Sequence, residues 1–177
     1  MIAFHELEAY LDRKRADLLE ALQTFGVHER GATEQEGGWT IVQIVEHLGL
    51  VERGVIREVS TLLDSSPANP DSSPESKRTD MIGLFKAKGI IGRKNESPLW
   101  ALPKGAMEYG QALERLSDIR SELKRFLPEL ASRETNSLVS MHPYGVELNV
   151  CQWLHFAAVH EAGHVLQVKR IRAANDN

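Results

Sequence analysis

Residues 148–172 read LNVCQWLHFAAVHEAGHVLQVKRIR, and their spacing sets the fold class. Trp153, Ala157, His160, His164 and Ile171 recur at three, four and seven, with Phe156 and Gln167 at the edge of the same stripe. That period predicts an amphipathic helix over about Val150 to Arg172. Its start is marked as well. Asn149 can cap the first turn while Gln152 reaches back to close a capping box, and Leu148 can staple onto Trp153. A helix started that firmly has a fixed rotation, so the direction of its histidines is fixed too. His160 and His164 are four apart, which puts two imidazoles on one face about 6 Å apart along the axis, within reach of one metal ion.

The core of that stretch, His160-Glu161-Ala162-Gly163-His164, also has the outline of a zinc-peptidase motif in which Glu161 would be the general base. The extended form of the motif asks for Gly at position 167 and His at position 170, where this chain has Gln167 and Arg170. A third ligand is therefore expected upstream. Glu161 stays a weak catalytic candidate, with a solvated helix glutamate as the ordinary alternative.

Three further amphipathic stretches lie upstream. One runs from about Ala3 to Phe25, with Phe4, Leu7, Leu11, Leu18, Leu22 and Phe25 on one face. The next, Thr40 to Leu63, opens with the same device as the last: Thr40 as cap, Gln43 as capping-box partner and Trp39 stapled onto Ile44. The third runs from Ala106 to Leu127 and should end or kink near Pro128. No stretch reads as a strand. Four such helices predict an all-α fold, a four-helix bundle. About forty residues separate the second and third helices, beginning with the Ser/Pro-rich run from Asp64 to Lys77, far more than an antiparallel hairpin needs. A crossover of that length predicts parallel second and third helices and an up-down-down-up order, in a single domain over residues 1–177.

Composition narrows the function classes. A net charge of −4 with 26% charged residues describes an ordinary soluble chain and argues against a nonspecific nucleic-acid surface. Cys151 is the sole cysteine, so no intrachain disulfide can form. The opening MIAFHELEAYLDRKR has no apolar leader, and no long apolar run follows, so neither secretion nor membrane insertion is expected and the cytoplasm fits best.

The upstream ligand candidate is His47. It shares the inward stripe of the second helix with Thr40, Ile44, Val51, Gly54 and Glu58. Taken alone, a histidine there is more readily a hydrogen-bonded core residue than a ligand. On facing seams, however, His47, His160 and His164 form a three-nitrogen set with open positions for water or substrate. The motifs now line up in order: Trp39-Thr40, Glu46-His47-Leu48, His142-Pro143-Tyr144-Gly145, Leu148-Asn149, Trp153-Leu154, and His160 and His164 followed by Gln167. This series resembles the DinB/YfiT-like superfamily of metalloenzymes across nearly the whole chain, the middle segment excepted. The resemblance implies a four-helix bundle of up-down-down-up order, metal ligation by His47, His160 and His164, and frequently a homodimer. Relatives of known activity are thiol-dependent S-transferases and isomerases that use low-molecular-weight thiols such as bacillithiol or mycothiol.

Three neutral imidazoles suit zinc, and also nickel, iron(II) or copper(II). Zinc on three protein ligands lowers the pKa of a bound water to about 7, and with a thiol it stabilises the thiolate. Two classes stay open on this reading. One is a metal-dependent transferase or hydrolase acting on a small molecule. The other is a noncatalytic, stress-related bundle stabilised by its ion, which should close the site with a fourth protein ligand.

Glu58 lies three turns from His47, too far to be a ligand, and is expected in a buried ion pair. Cys151 and His155 should point away from the ligands. The substrate mouth is expected between the Gly26 to Trp39 loop and the segment Arg93 to Lys104, with the His142 turn at the other end. Arg30, Arg93, Lys94, Lys104, Arg170 and Arg172 near such a mouth would favour an anionic substrate or thiol.

Overall fold

The computed structural model describes residues 2–65, 78–90, 96–131 and 135–176. Residues 66–77 of the Ser/Pro-rich connection, and Arg93 and Lys94, lie outside the described residues. The chain is mostly helical. Its long helices are α1 (Leu7–Gln23), α2 (Ile41–Asp64), α4 (Tyr109–Lys124) and α6 (Val150–Asn175), with two shorter ones, α3 (Met81–Ala87) and α5 (Leu127–Ala131). Helix α1 packs on α6, and α2 packs on both α4 and α6.

Both expected capping boxes form. The amide of Gln43 donates to Thr40 Oγ1 at 3.2 Å and that of Thr40 to Gln43 Oε1 at 2.9 Å. At α6 the reciprocal bonds between Asn149 and Gln152 are both 2.9 Å. Pro128 falls in the first turn of α5, where its missing N–H costs nothing, and the helix before it has already ended at Lys124.

The apolar stripes bury as two separate clusters. One gathers Leu18, Leu22 and Phe25 of the α1 end, Ile41, Ile44 and Leu48 of α2, Leu116 of α4, and Val165, Val168 and Ile171 of α6. The other takes Leu7 and Leu11 of α1, Val55, Val59, Leu62 and Leu63 of α2, Leu123 of α4, and Trp153, Leu154 and Ala158 of α6. Each cluster therefore combines one half of α1 and α6 with the opposite half of α2.

Between them lies a charged layer to which each long helix contributes one residue. Arg15 of α1 pairs with Glu52 of α2 at 2.8 Å and with Glu161 of α6 at 2.7 Å. Arg120 of α4 pairs with the same two carboxylates. The spare guanidinium donors go to backbone, Arg15 to the Leu116 carbonyl and Arg120 to that of Leu11. Two positive and two negative charges with their donors committed meet the condition for burying ions at all.

Strands are present where none was expected. β1 (Ile2–Ala3) pairs antiparallel with β2 (Arg78–Thr79), tying the start of the described chain to the far side of the long connection. A hairpin, β3 (Val139–His142) with β4 (Val146–Asn149), feeds directly into α6. Its loop is Pro143-Tyr144-Gly145, with Gly145 at φ +74° and its amide bonded to the His142 carbonyl at 2.8 Å. That is the three-residue hairpin loop that needs a glycine in the left-handed region. Helix α1 starts later than expected because Ala3 is a strand residue and Phe4–Glu6 form a single 3-10 turn.

Candidate metal centre

His47 sits two turns into α2 and is 2% exposed. Its Nδ1 lies 2.7 Å from the Ala101 carbonyl, an acceptor only, so Nδ1 carries the proton and Nε2 keeps its lone pair. On α6, His164 places Nδ1 2.8 Å from Gln167 Oε1, which leaves its Nε2 free in the same way. His160 completes the group, its Nε2 3.3 Å from that of His47. One nitrogen from each ring lies within 4.8 Å of the other two. For comparison, two nitrogens bonded to one zinc at about 2.1 Å and a tetrahedral angle stand about 3.4 Å apart.

The protonation states suit ligation. Burial pushes His47 down, against the hydrogen bond to Ala101. Burial, then its histidine neighbours, holds His160 well below the usual range. His164 is pushed down to about 4, chiefly by burial. All three are neutral near pH 7. Trp39, just before α2, covers one side of the set, its ring 4.6 Å from that of His47 and stacked 6.4 Å from that of His164. Among the described residues no further His, Cys, Asp or Glu joins the cluster.

Glu161 is placed elsewhere. One residue on from His160, it turns about 100° around α6 into the charged layer, where it is 2% exposed and held by Arg15 and Arg120. It is neither solvated nor among the imidazoles.

A cavity of about 360 Å³ opens beside His47 and His160. Its walls are Val51, Val55 and Gly54 of α2, Trp153 and Phe156 of α6, Ser97, Pro98 and Trp100 of the long connection, and the tip of the β3–β4 hairpin. Trp100 closes on α2 where there is no side chain to meet it: a Cβ on Gly54 would lie 2.8 Å from its ring.

Comparison with known proteins fits this geometry. The family model of the DinB superfamily matches residues 10–168. The chain belongs to the DinB superfamily. No curated protein is significantly similar to it. Among solved structures it is similar to TT2238, described as a four-helix bundle protein, with 22% identity over 94% of this chain and 98% of that one and a TM-score of 0.62. It is also similar to an uncharacterised protein from Escherichia coli UTI89, with 11% identity over 99% and 96% of the two chains and a TM-score of 0.59. At these identities the likeness is one of fold.

In this DinB-superfamily chain the mouth is not where the sequence places it. The connection does line the cavity, through Ser97, Pro98 and Trp100, but the opposite wall is the His142 turn and not the Gly26 to Trp39 loop. The reason is the hairpin. It folds its tip back along α6, so that the His142 ring lies 5.2 Å from Trp153 and 4.6 Å from Phe156. Of the basic residues expected there, Arg30, Lys104, Arg170 and Arg172 are described, and none of them lines the cavity. Arg170 pairs with Glu34, Arg172 with Glu29 and Asp176, and Arg30 lies 4.0 Å over the Tyr109 ring. Lys104 is exposed, its backbone amide bonded to Glu46. Cys151 is buried beside Thr135, and His155 is buried against Tyr10. Glu58, expected in a buried ion pair, lines the cavity instead and accepts a hydrogen bond from Ser140 at 3.1 Å.

Sequence reasoning missed Arg15, Glu52 and Arg120, since nothing local distinguishes an arginine that will meet a carboxylate 37 to 146 residues away. It also missed the hairpin, whose signal is readable afterwards: Pro-Tyr-Gly flanked by two four-residue runs, with Val146 and Leu148 alternating inward.

Proposed function

We propose that the protein holds one divalent ion on His47, His160 and His164, zinc foremost with nickel or iron as alternatives, and acts as an enzyme on a small molecule. The observation that supports it is the donor set itself: three neutral imidazoles, two with Nδ1 committed to an oxygen acceptor so that Nε2 faces the group. Bound there, the ion supplies Lewis acidity toward a water or a thiol. The chain's own residues hold and orient the ligands, through Ala101 and Gln167, and the aromatic cavity beside them keeps a substrate out of bulk water. The absence of a fourth protein ligand among the described residues favours an open site over a structural one.

Within this reading a thiol-dependent S-transfer is the first reaction to test, with a low-molecular-weight thiol as cosubstrate. Metal-dependent hydrolysis and a noncatalytic, stress-related metal-binding role are the alternatives. The same reading takes the protein as a cytoplasmic homodimer with an up-down-down-up bundle. The sharing of helix halves between the two apolar clusters supports that order. No helix among the described residues is long and apolar enough to cross a membrane.

The test is elemental analysis of protein purified without a histidine tag, followed by small thiols against electrophilic substrates. About one ion per chain is expected, and replacing His160 and His164 with alanine should abolish it. Unchanged metal affinity in that double variant refutes the site.

A further inference from the structure

Glu58 is carried eleven residues beyond His47 on the same helix, about 16 Å along its axis, and lines the same cavity. Its partner among the described residues is a neutral hydroxyl, and no ion pair reaches it. That hydroxyl is itself fixed. The Trp153 indole N–H, which can only donate, gives to Ser140 Oγ at 2.9 Å, so the single Ser140 hydrogen goes to Glu58 Oε2 at 3.1 Å. The relay orients the carboxylate while using one of its roughly four acceptor sites. Arg57 lines the cavity too, but it is exposed, and its guanidinium lies 5.8 Å over the Trp100 ring.

A half-buried carboxylate, held in place and without an ionic partner among the described residues, in a cavity that Trp100, Trp153 and Tyr144 also line, has the chemistry of a cation acceptor. Removing it from water is unfavourable unless the occupant brings donors or charge, and aromatic faces add their own attraction for an ammonium group. We propose that this end of the cavity binds the protonated amine of an extended small molecule, its reactive end directed to the three histidines. The second half rests on the metal-centre reading, whereas the amine site does not.

The test uses three probes of one shape, benzylamine, benzyl alcohol and benzoate, titrated into the full chain by calorimetry, with metal content measured on the same samples. Benzylamine should bind more tightly than benzyl alcohol by about tenfold or more, as expected for a hydrogen bond to a charged group. Benzoate should be the weakest. In Glu58→Gln the amine should lose that advantage while metal content is unchanged, and Ser140→Ala should reduce it in part. A wild-type protein that binds benzoate or benzyl alcohol as well as benzylamine overturns the proposal whatever the variants do. So does an amine preference that survives Glu58→Gln. A chain without metal that still prefers the amine would retain this site and refute only the metal centre.

Discussion

Two imidazoles of the candidate centre, His47 and His164, are held by a hydrogen bond at Nδ1, and the side-chain partner of His164 can be removed by substitution. Gln167 is the partner of His164 and makes no part of the ligand set. Gln167→Ala should lower metal affinity by about 10–100-fold with the fold intact, measured by competition with a chelator of known affinity. Unaltered affinity would mean that His164 needs no such support. Glu161 tests the opposite side of α6. In Glu161→Gln the buried guanidinium of Arg120 and the part-buried one of Arg15 would be left with one carboxylate, and loss of a partner from such a set costs about 3–5 kcal/mol, readable in urea unfolding. Stability within about 1 kcal/mol of wild type, as is usual for an exposed pair, would show that the network does not hold in solution. These residues also mark what the sequence discloses. The three histidines are legible because a helical period and two capping boxes determine their direction locally. The role of Glu161 is not, because it depends on where Arg15 and Arg120 arrive after the helices have packed.

At the scale of the element, the caps carry the argument from sequence to site. Asn149 starts α6 and so sets the rotation of His160 and His164 eleven and fifteen residues later. Asn149→Ala should cost about 1 kcal/mol, a fall in Tm of about 2–4 °C for a chain of this length. A calorimetric scan showing no fall would mean that packing of the apolar face alone sets the helix start. The long helices are legible because each repeats its apolar residues for four turns or more. The hairpin is not, because each of its strands is four residues long, and β3 buries only His142 fully. So short and polar a strand is decided by what it lies against, here the aromatic face of α6. The consequence is a misplaced mouth, since the hairpin tip takes the position assigned to a loop at the other end.

For the molecule as a whole, burial of histidines makes stability depend on acid. Burial pushes His142, His155 and His164 each to about 4, well under the value of about 6.5 for an exposed imidazole. Between those values the unfolded chain binds protons that the folded chain refuses. The stability present above about pH 6.5 is therefore lost progressively as pH falls toward 4, by at most about 3 kcal/mol for each such group. Below that range these groups add no further loss. The fall should be visible in urea unfolding of chelator-treated protein across that range, and a bound ion should add to stability near neutrality, where no proton competes for the ligands. His142 separates the titration from metal binding. Its Nδ1 accepts the Tyr144 amide at 3.2 Å, a bond that protonation would break, and its ring packs on Phe85, Trp153 and Phe156. Phenylalanine keeps the packing and cannot titrate. His142→Phe should accordingly leave metal content unchanged and make the decline between about pH 6.5 and 4 shallower. A decline as steep as that of wild type would assign the acid sensitivity to other groups.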